Sequence, residues 1–228
     1  MNNTVLIGLY ILFNIFSDVN QPAEKIADDN KIKNSGPEYF PVNEKVILTY
    51  KSDFGETRSW IVKEKGSLKF YNQSDDFNYQ QKLLINDQGV FVEEVYQKIN
   101  IFLFIKQEGS YTYSKPMLRV PFPIVDNAQW NWIGKEYCDG DTGTVSLTGK
   151  IIGLDTILTE AGKFEALKIE TIIETSDETK NIITEWFAAG VGMVKMHLSI
   201  KGGGFLAFIG SILGYGDVDF ELKKISAN

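Results

Sequence analysis

The chain has 228 residues, 43% of them hydrophobic and 23% charged, the balance of a globular protein rather than a disordered one. A formal net charge of −7 argues against nucleic-acid binding, which needs a basic face to displace counterions. With one Cys and one His, the chain has no intrachain disulfide, no cysteine-based zinc or iron–sulfur site and no multi-histidine metal centre.

The first legible element is Val5–Phe16 (VLIGLYILFNIF), an apolar run broken only by Asn14. It is too short for a membrane span of about 20 residues and fits the apolar region of a secretory signal peptide. Met1–Thr4 carries no Lys or Arg, and Ser17 is the best small residue for cleavage. A buried N-terminal element and an uncleaved anchor are therefore the alternatives to a cleaved signal. No Cys follows the run to carry a lipid anchor. Gln21–Pro37 reads as a polar linker without periodicity. The expected organisation is a signal peptide at 1–17, a linker at 18–38 and one β-barrel-like domain at 39–228, exported to the periplasm or beyond.

From Tyr39 onward the hydrophobic period is two. Val194, Met196, Leu198 and Ile200 alternate with Lys195, His197, Ser199 and Lys201, and Leu167, Ile169 and Ile173 oppose Lys168 and Glu170. Val145, Leu147 and Ile151 share a side of Thr142–Leu154. Strand-like runs also cover Lys45–Lys51, Thr57–Lys65, Ser67–Asn72, Tyr79–Ile85, Val90–Gln97, Ile99–Gln107, Ile182–Phe187 and Asp217–Lys224, with turn residues between them. No helical period lasts three turns. The pattern predicts an all-β antiparallel meander of about ten strands, too many for one flat sheet, curled into a barrel or half-barrel. Three stretches break the rhythm. Lys115–Asp126 holds three of the six prolines and reads as an edge segment or crossing loop. Cys138–Gly143 is a tight acidic turn, and Gly202–Gly216 is an apolar, glycine-punctuated insertion.

Chemistry is sparse. Asp139-Gly140-Asp141 resembles a fragment of a calcium loop but lacks the later ligands, so it reads as a hairpin turn. Cys138 has no basic neighbour to activate it and is expected to be a reduced, partly buried thiol. His197 falls on the polar side of its strand and is expected at the surface. Glu93-Glu94 and Asp75-Asp76 are sequence neighbours, which a regular strand points to opposite faces. No G-x-S-x-G, G-x-G-x-x-G after a strand, H-E-x-x-H or G-x-x-x-x-G-K-[ST] motif occurs. The expectation is a non-catalytic protein without cofactor or metal. Trp130 and Trp132 share a face; with Trp60 and Trp186 they would either line a sugar- or lipid-binding cleft or fill the interior. Phe205, Phe208 and Ile209 in the apolar insertion join Trp130 and Trp132 as the candidate ligand-binding residues. The expected partner is a lipid or lipidated peptide, with no nucleic acid and no membrane span in the mature chain. The alternative is a structural or interaction module with a filled core.

One resemblance accompanies these residues. It rests on Tyr39-Phe40-Pro41, Leu48-Thr49-Tyr50, Val120-Pro121, Trp130-Asn131-Trp132-Ile133-Gly134, Ala161–Ile169, Glu185–Lys195 and Phe220-Glu221-Leu222-Lys223. With these the domain resembles a family of uncharacterised exported bacterial β-barrel proteins, a domain of unknown function. That family is distantly similar in architecture to periplasmic carriers of lipoproteins. The resemblance implies a barrel in which Gly192 permits a turn and Phe164 anchors a strand, and it implies no reaction.

Overall fold

A computed structural model describes residues 36–101, 105–176, 178–201 and 217–227. After a 3-10 turn at Pro37–Tyr39, the described chain is all strand: β1 (Val46–Ser52), β2 (Gly55–Glu64), β3 (Ser67–Gln73), β4 (Phe77–Asn86), β5 (Gly89–Ile101) and β6 (Ile105–Pro121). There follow β7 (Gln129–Cys138), β8 (Asp141–Thr159), β9 (Gly162–Thr175), β10 (Lys180–Ala188), β11 (Gly192–Lys201) and β12 (Asp217–Ala227). Each strand pairs antiparallel with its sequence neighbours, and β12 returns to β1 to close the barrel. Closure removes the open sheet edges that a long meander would otherwise expose. The signal peptide expected at 1–17 and residues 18–35 of the linker expected at 18–38 lie outside the described residues, as does the Gly202–Gly216 insertion; the linker's last residues, Pro37 and Glu38, enter the 3-10 turn.

The all-β reading holds, with corrections in detail. Among the described residues there are twelve strands, against an expectation of about ten. The run Ile99–Gln107 is not one strand: β5 ends at Ile101 and β6 begins at Ile105, a continuous apolar stretch having hidden the reversal. Lys115–Pro121 belongs to β6 rather than to a crossing loop. Its prolines are accommodated by a bulge. Glu94 pairs with Thr112 and Val92 with Met117, so Tyr113–Pro116 face a single residue of β5. On the other side of β6, pairing with β7 is confined to Tyr111–Tyr113 against Glu136–Cys138. The proline-bearing part of β6 therefore does behave as an edge toward β7, where a missing N–H costs no ladder bond.

The turns follow local chemistry. Asp139 and Gly140 take φ of 50° and 91° between paired Cys138 and Asp141, the left-handed geometry of a two-residue hairpin loop. Gly192 has φ of 95° at the start of β11, beside a bulge at Trp186/Phe187.

Alternation packs one face of each strand inward. Leu167, Ile169 and Ile173 of β9 are fully buried, as are Val145 and Leu147 of β8 and Met196 and Leu198 of β11. One end of the barrel is closed by the incoming chain. Phe40 sits against Phe187 at 4.8 Å and Phe122 at 5.8 Å between ring centroids, and the Gly190 N–H donates to the Glu38 carbonyl. At the opposite end Phe54 stacks on Phe77 at 5.0 Å, and the Asp219 N–H donates to the Asp53 carboxylate at 2.8 Å. Ile101, Ile105, Lys201 and Asp217, which flank residues 102–104 and 202–216, terminate strands at this second end.

Candidate functional site

The inward face is less apolar than the strand pattern implies. Arg119 of β6 and Glu185 of β10 point into the barrel and form a fully buried ion pair, with the guanidinium 5.6 Å from the Phe187 ring centroid. Burial pushes the Glu185 carboxyl up to about 7, and the Arg119 charge pulls in the opposite direction. Tyr79 lies close enough to feel both charges, and burial raises its hydroxyl above the usual phenol range. Tyr50, also raised by burial, donates to the Met193 carbonyl at 2.8 Å.

A second group of polar side chains lines β2 to β4. Ser59 is the register partner of Asn72, and Asn72 that of Tyr79. Thr57 and Gln81 lie two residues along on the same inward faces, and Thr57, Ser59, Asn72 and Gln81 are all buried. Gln81 donates from Nε2 to the Tyr79 hydroxyl at 2.8 Å. Gln81 Oε1, Thr57 Oγ1, Ser59 Oγ and both side-chain amide atoms of Asn72 meet neither a protein partner nor solvent.

Trp130 and Trp132 occupy the wall where β7 is unpaired from β6. Both point inward and are nearly buried. The Trp132 indole donates to the Pro116 carbonyl at 3.0 Å, and the Lys135 N–H donates to Ser114 Oγ at 3.0 Å, so side chains bridge this seam in place of a backbone ladder. Tyr113 meets Trp132 edge-on at 5.8 Å. The Trp130 indole N–H is buried and makes no hydrogen bond. Each ring lies over a glycine. A Cβ at Gly149 would fall 2.1 Å from Trp130, and one at Gly134 would fall 2.3 Å from Trp132. Gly149→Ala is therefore expected to displace the Trp130 ring and cost about 1–3 kcal/mol in urea unfolding. Wild-type stability with an unchanged tryptophan emission spectrum would contradict this contact.

The four tryptophans do not share a cleft, which corrects one sequence expectation. Trp60 and Trp186 are on the outer wall, because their positions alternate with inward Ser59, Ile61, Glu185 and Phe187. Trp60 stacks with Tyr71 at 5.1 Å, and Trp186 sits between Lys168 and Lys195 at 5.3 and 5.6 Å. Phe205, Phe208 and Ile209 lie outside the described residues.

The remaining candidates are mostly as read. His197 is part-exposed and meets Asp219 at 3.0 Å rather than a nucleophile. Cys138 is a free thiol pushed up to about 11 by burial and by Asp139. Glu93 and Glu94 depart from the opposite-face expectation. A bulge at Glu93 turns both toward Lys82, at 3.3 and 3.6 Å. Near them an outer groove of about 310 Å3 is lined by Lys69, Asn78, Gln80, Lys82, Glu94 and Tyr96. Among the described residues there is no cluster of three or more metal-ligating side chains and no helix long and apolar enough to cross a membrane. The outer wall carries Arg58, Lys69, Lys82, Glu94 and Lys98, unlike the apolar band of a lipid-facing barrel.

Three solved structures are similar to the chain. A candidate lipoprotein from Parabacteroides distasonis shares 14% identity at a TM-score of 0.41, with 82% of this chain and 98% of that one covered. A candidate exported protein with a YmcC-like fold from Bacteroides fragilis shares 13% at 0.42, covering 82% and 97%. The hypothetical lipoprotein YmcC from Escherichia coli shares 10% at 0.40, covering 81% and 87%. No curated protein sequence matches the chain. Residues 139–205, from the turn before β8 to just beyond β11, match the DUF3108-like family, and over that stretch the chain is similar to it.

Proposed function

We propose that the protein is an exported, non-catalytic component of the bacterial cell envelope that holds an apolar or amphiphilic ligand, an acyl chain or a lipidated peptide, inside its barrel. The observation that carries this reading is the β6–β7 seam. There the wall lacks its backbone ladder, and two inward tryptophans, one with an unbonded indole N–H, stand at the gap. Side-chain bridges part more readily than a continuous ladder, so the seam is the route by which a long ligand enters. Export is supported by the apolar Val5–Phe16 run ahead of a polar linker. A non-catalytic role is supported by the buried titratable groups themselves, because Arg119 and Glu185 are spent on each other.

The inside–outside split of the tryptophans supplies the test. A brominated acyl methyl ester quenches indoles that it touches. In full-length Trp60→Phe/Trp186→Phe, quenching is expected to persist, and in Trp130→Phe/Trp132→Phe it is expected to disappear. Quenching confined to the outer pair, or absent from the wild type, would sink the reading. The outer groove beside Lys82 and Tyr96 would then favour the interaction-module alternative.

A further inference from the structure

We infer that the inner face of β2–β4 binds the head group of the ligand, and that this head group is uncharged and hydroxylated, as in a monoacylglycerol. The inference rests on the ligand-binding reading and adds the chemistry of the bound molecule. Thr57, Ser59, Asn72 and Gln81 present five buried polar atoms that neither protein nor solvent satisfies. Buried polar groups are ordinarily paired, and a primary amide with both ends unbonded is among the costlier exceptions. Register places them together: Ser59 opposite Asn72, Asn72 opposite Tyr79, and Gln81 two residues beyond Tyr79 and bonded to its hydroxyl. Directly opposed side chains in an antiparallel pair are roughly 5 Å apart at Cβ, so one small group reaches several of them.

The donor and acceptor set decides the chemistry. Asn72 Oδ1 and Gln81 Oε1 accept, Asn72 Nδ2 donates, and the Thr57 and Ser59 hydroxyls do either. An anion would face the two acceptors and a cation the donor, in a low-dielectric interior that makes any unpaired charge expensive. Arg119 and Glu185 supply no counter-charge, being bonded to each other. Hydroxyl groups, which donate and accept at once, match the set. The surroundings suit the rest of an amphiphile: Leu48, Ile61, Phe70, Leu83 and Val95 are buried on the same or adjacent inward positions.

The test uses the full chain and three probes with the same acyl chain: 1-monooleoylglycerol, oleate and methyl oleate. Monooleoylglycerol is expected to bind about tenfold more tightly than either of the others, the worth of one or two additional net hydrogen bonds. Asn72→Leu, which keeps the branch at Cγ and removes the polar atoms, is expected to abolish that preference while leaving methyl oleate affinity unchanged, with a melting temperature equal to or above wild type. Ser59→Ala, which removes one oxygen and leaves the wall intact, is expected to reduce the preference severalfold and serves should Asn72→Leu fold poorly. Equal binding of all three probes, or a preference untouched by Ser59→Ala and Asn72→Leu, would overturn the head-group assignment and leave the ligand-binding barrel standing. Failure of every probe to bind overturns both.

Discussion

Ile169→Asp is expected to destabilise the barrel by about 3–5 kcal/mol, the cost of a buried, unpaired carboxylate. Ile169 is completely buried at the centre of β9, with Ile151 of β8 on one side and Glu185 of β10 on the other. The new carboxyl group would thus lie beside an existing buried one that already resists ionisation, which makes this position less forgiving than an all-apolar site. Ile169→Val removes one methylene without changing polarity and is expected to cost roughly 1 kcal/mol. Urea unfolding of the two variants against wild type measures both values. A fall in Tm of about 10 °C or more is expected for the aspartate variant of a domain this size. An aspartate variant melting within a degree or two of wild type would show that the register of β9 is wrong.

That register was legible because β8, β9 and β11 carry clean alternation, with charged outward positions such as Lys168, Glu170 and Lys195 marking the solvent side. The shared face of Trp130 and Trp132 followed from the same period. The polar interior was hidden for two physical reasons. In β2, Thr57 and Ser59 point inward while Trp60 and Val62 point out, so apolar periodicity favours the wrong face. In β6, Arg119 keeps the inward phase of Tyr111 and Met117, but a reading that takes apolar residues as inward assigns an arginine to solvent. Bulges insert a residue, and a single insertion exchanges the two faces for every residue beyond it. The same logic explains Glu93 and Glu94, which a regular strand would separate. Which residues close across the barrel was never a matter of period. Arg119 and Glu185 lie on β6 and β10, 66 positions apart in sequence, and only closure brings them together.

Arg119→Met is expected to cost about 3–5 kcal/mol at pH 8, because it leaves the buried Glu185 carboxyl without the counter-charge that offsets its desolvation. The double variant Arg119→Met/Glu185→Leu is expected to recover most of that loss, since an apolar pair carries no desolvation penalty. The pH dependence separates this account from a simple cavity. With the Glu185 carboxyl pushed up to about 7 from an ordinary value of 4.5, the folded chain keeps a proton that the unfolded chain has released. Between roughly pH 4.5 and 7 the folded state therefore binds more protons, and wild-type stability falls as pH rises, by about 3 kcal/mol over the window. Glu56 and Glu108, lowered by their bonds to Lys223 and Lys98, act in the opposite sense, and their contribution is lost only as pH falls below the ordinary carboxylate range. Glu185→Gln is expected to flatten the slope between pH 5 and 7. Without the Arg119 charge the Glu185 carboxyl is held higher still, so in Arg119→Met the penalty is expected to grow as pH rises above 7 and to be smallest and level below 7, where Glu185 is protonated in both proteins. A penalty for Arg119→Met that is constant from pH 5 to 8, undiminished in the double variant, would mean that Arg119 acts through its volume against Phe187 and that its charge is immaterial.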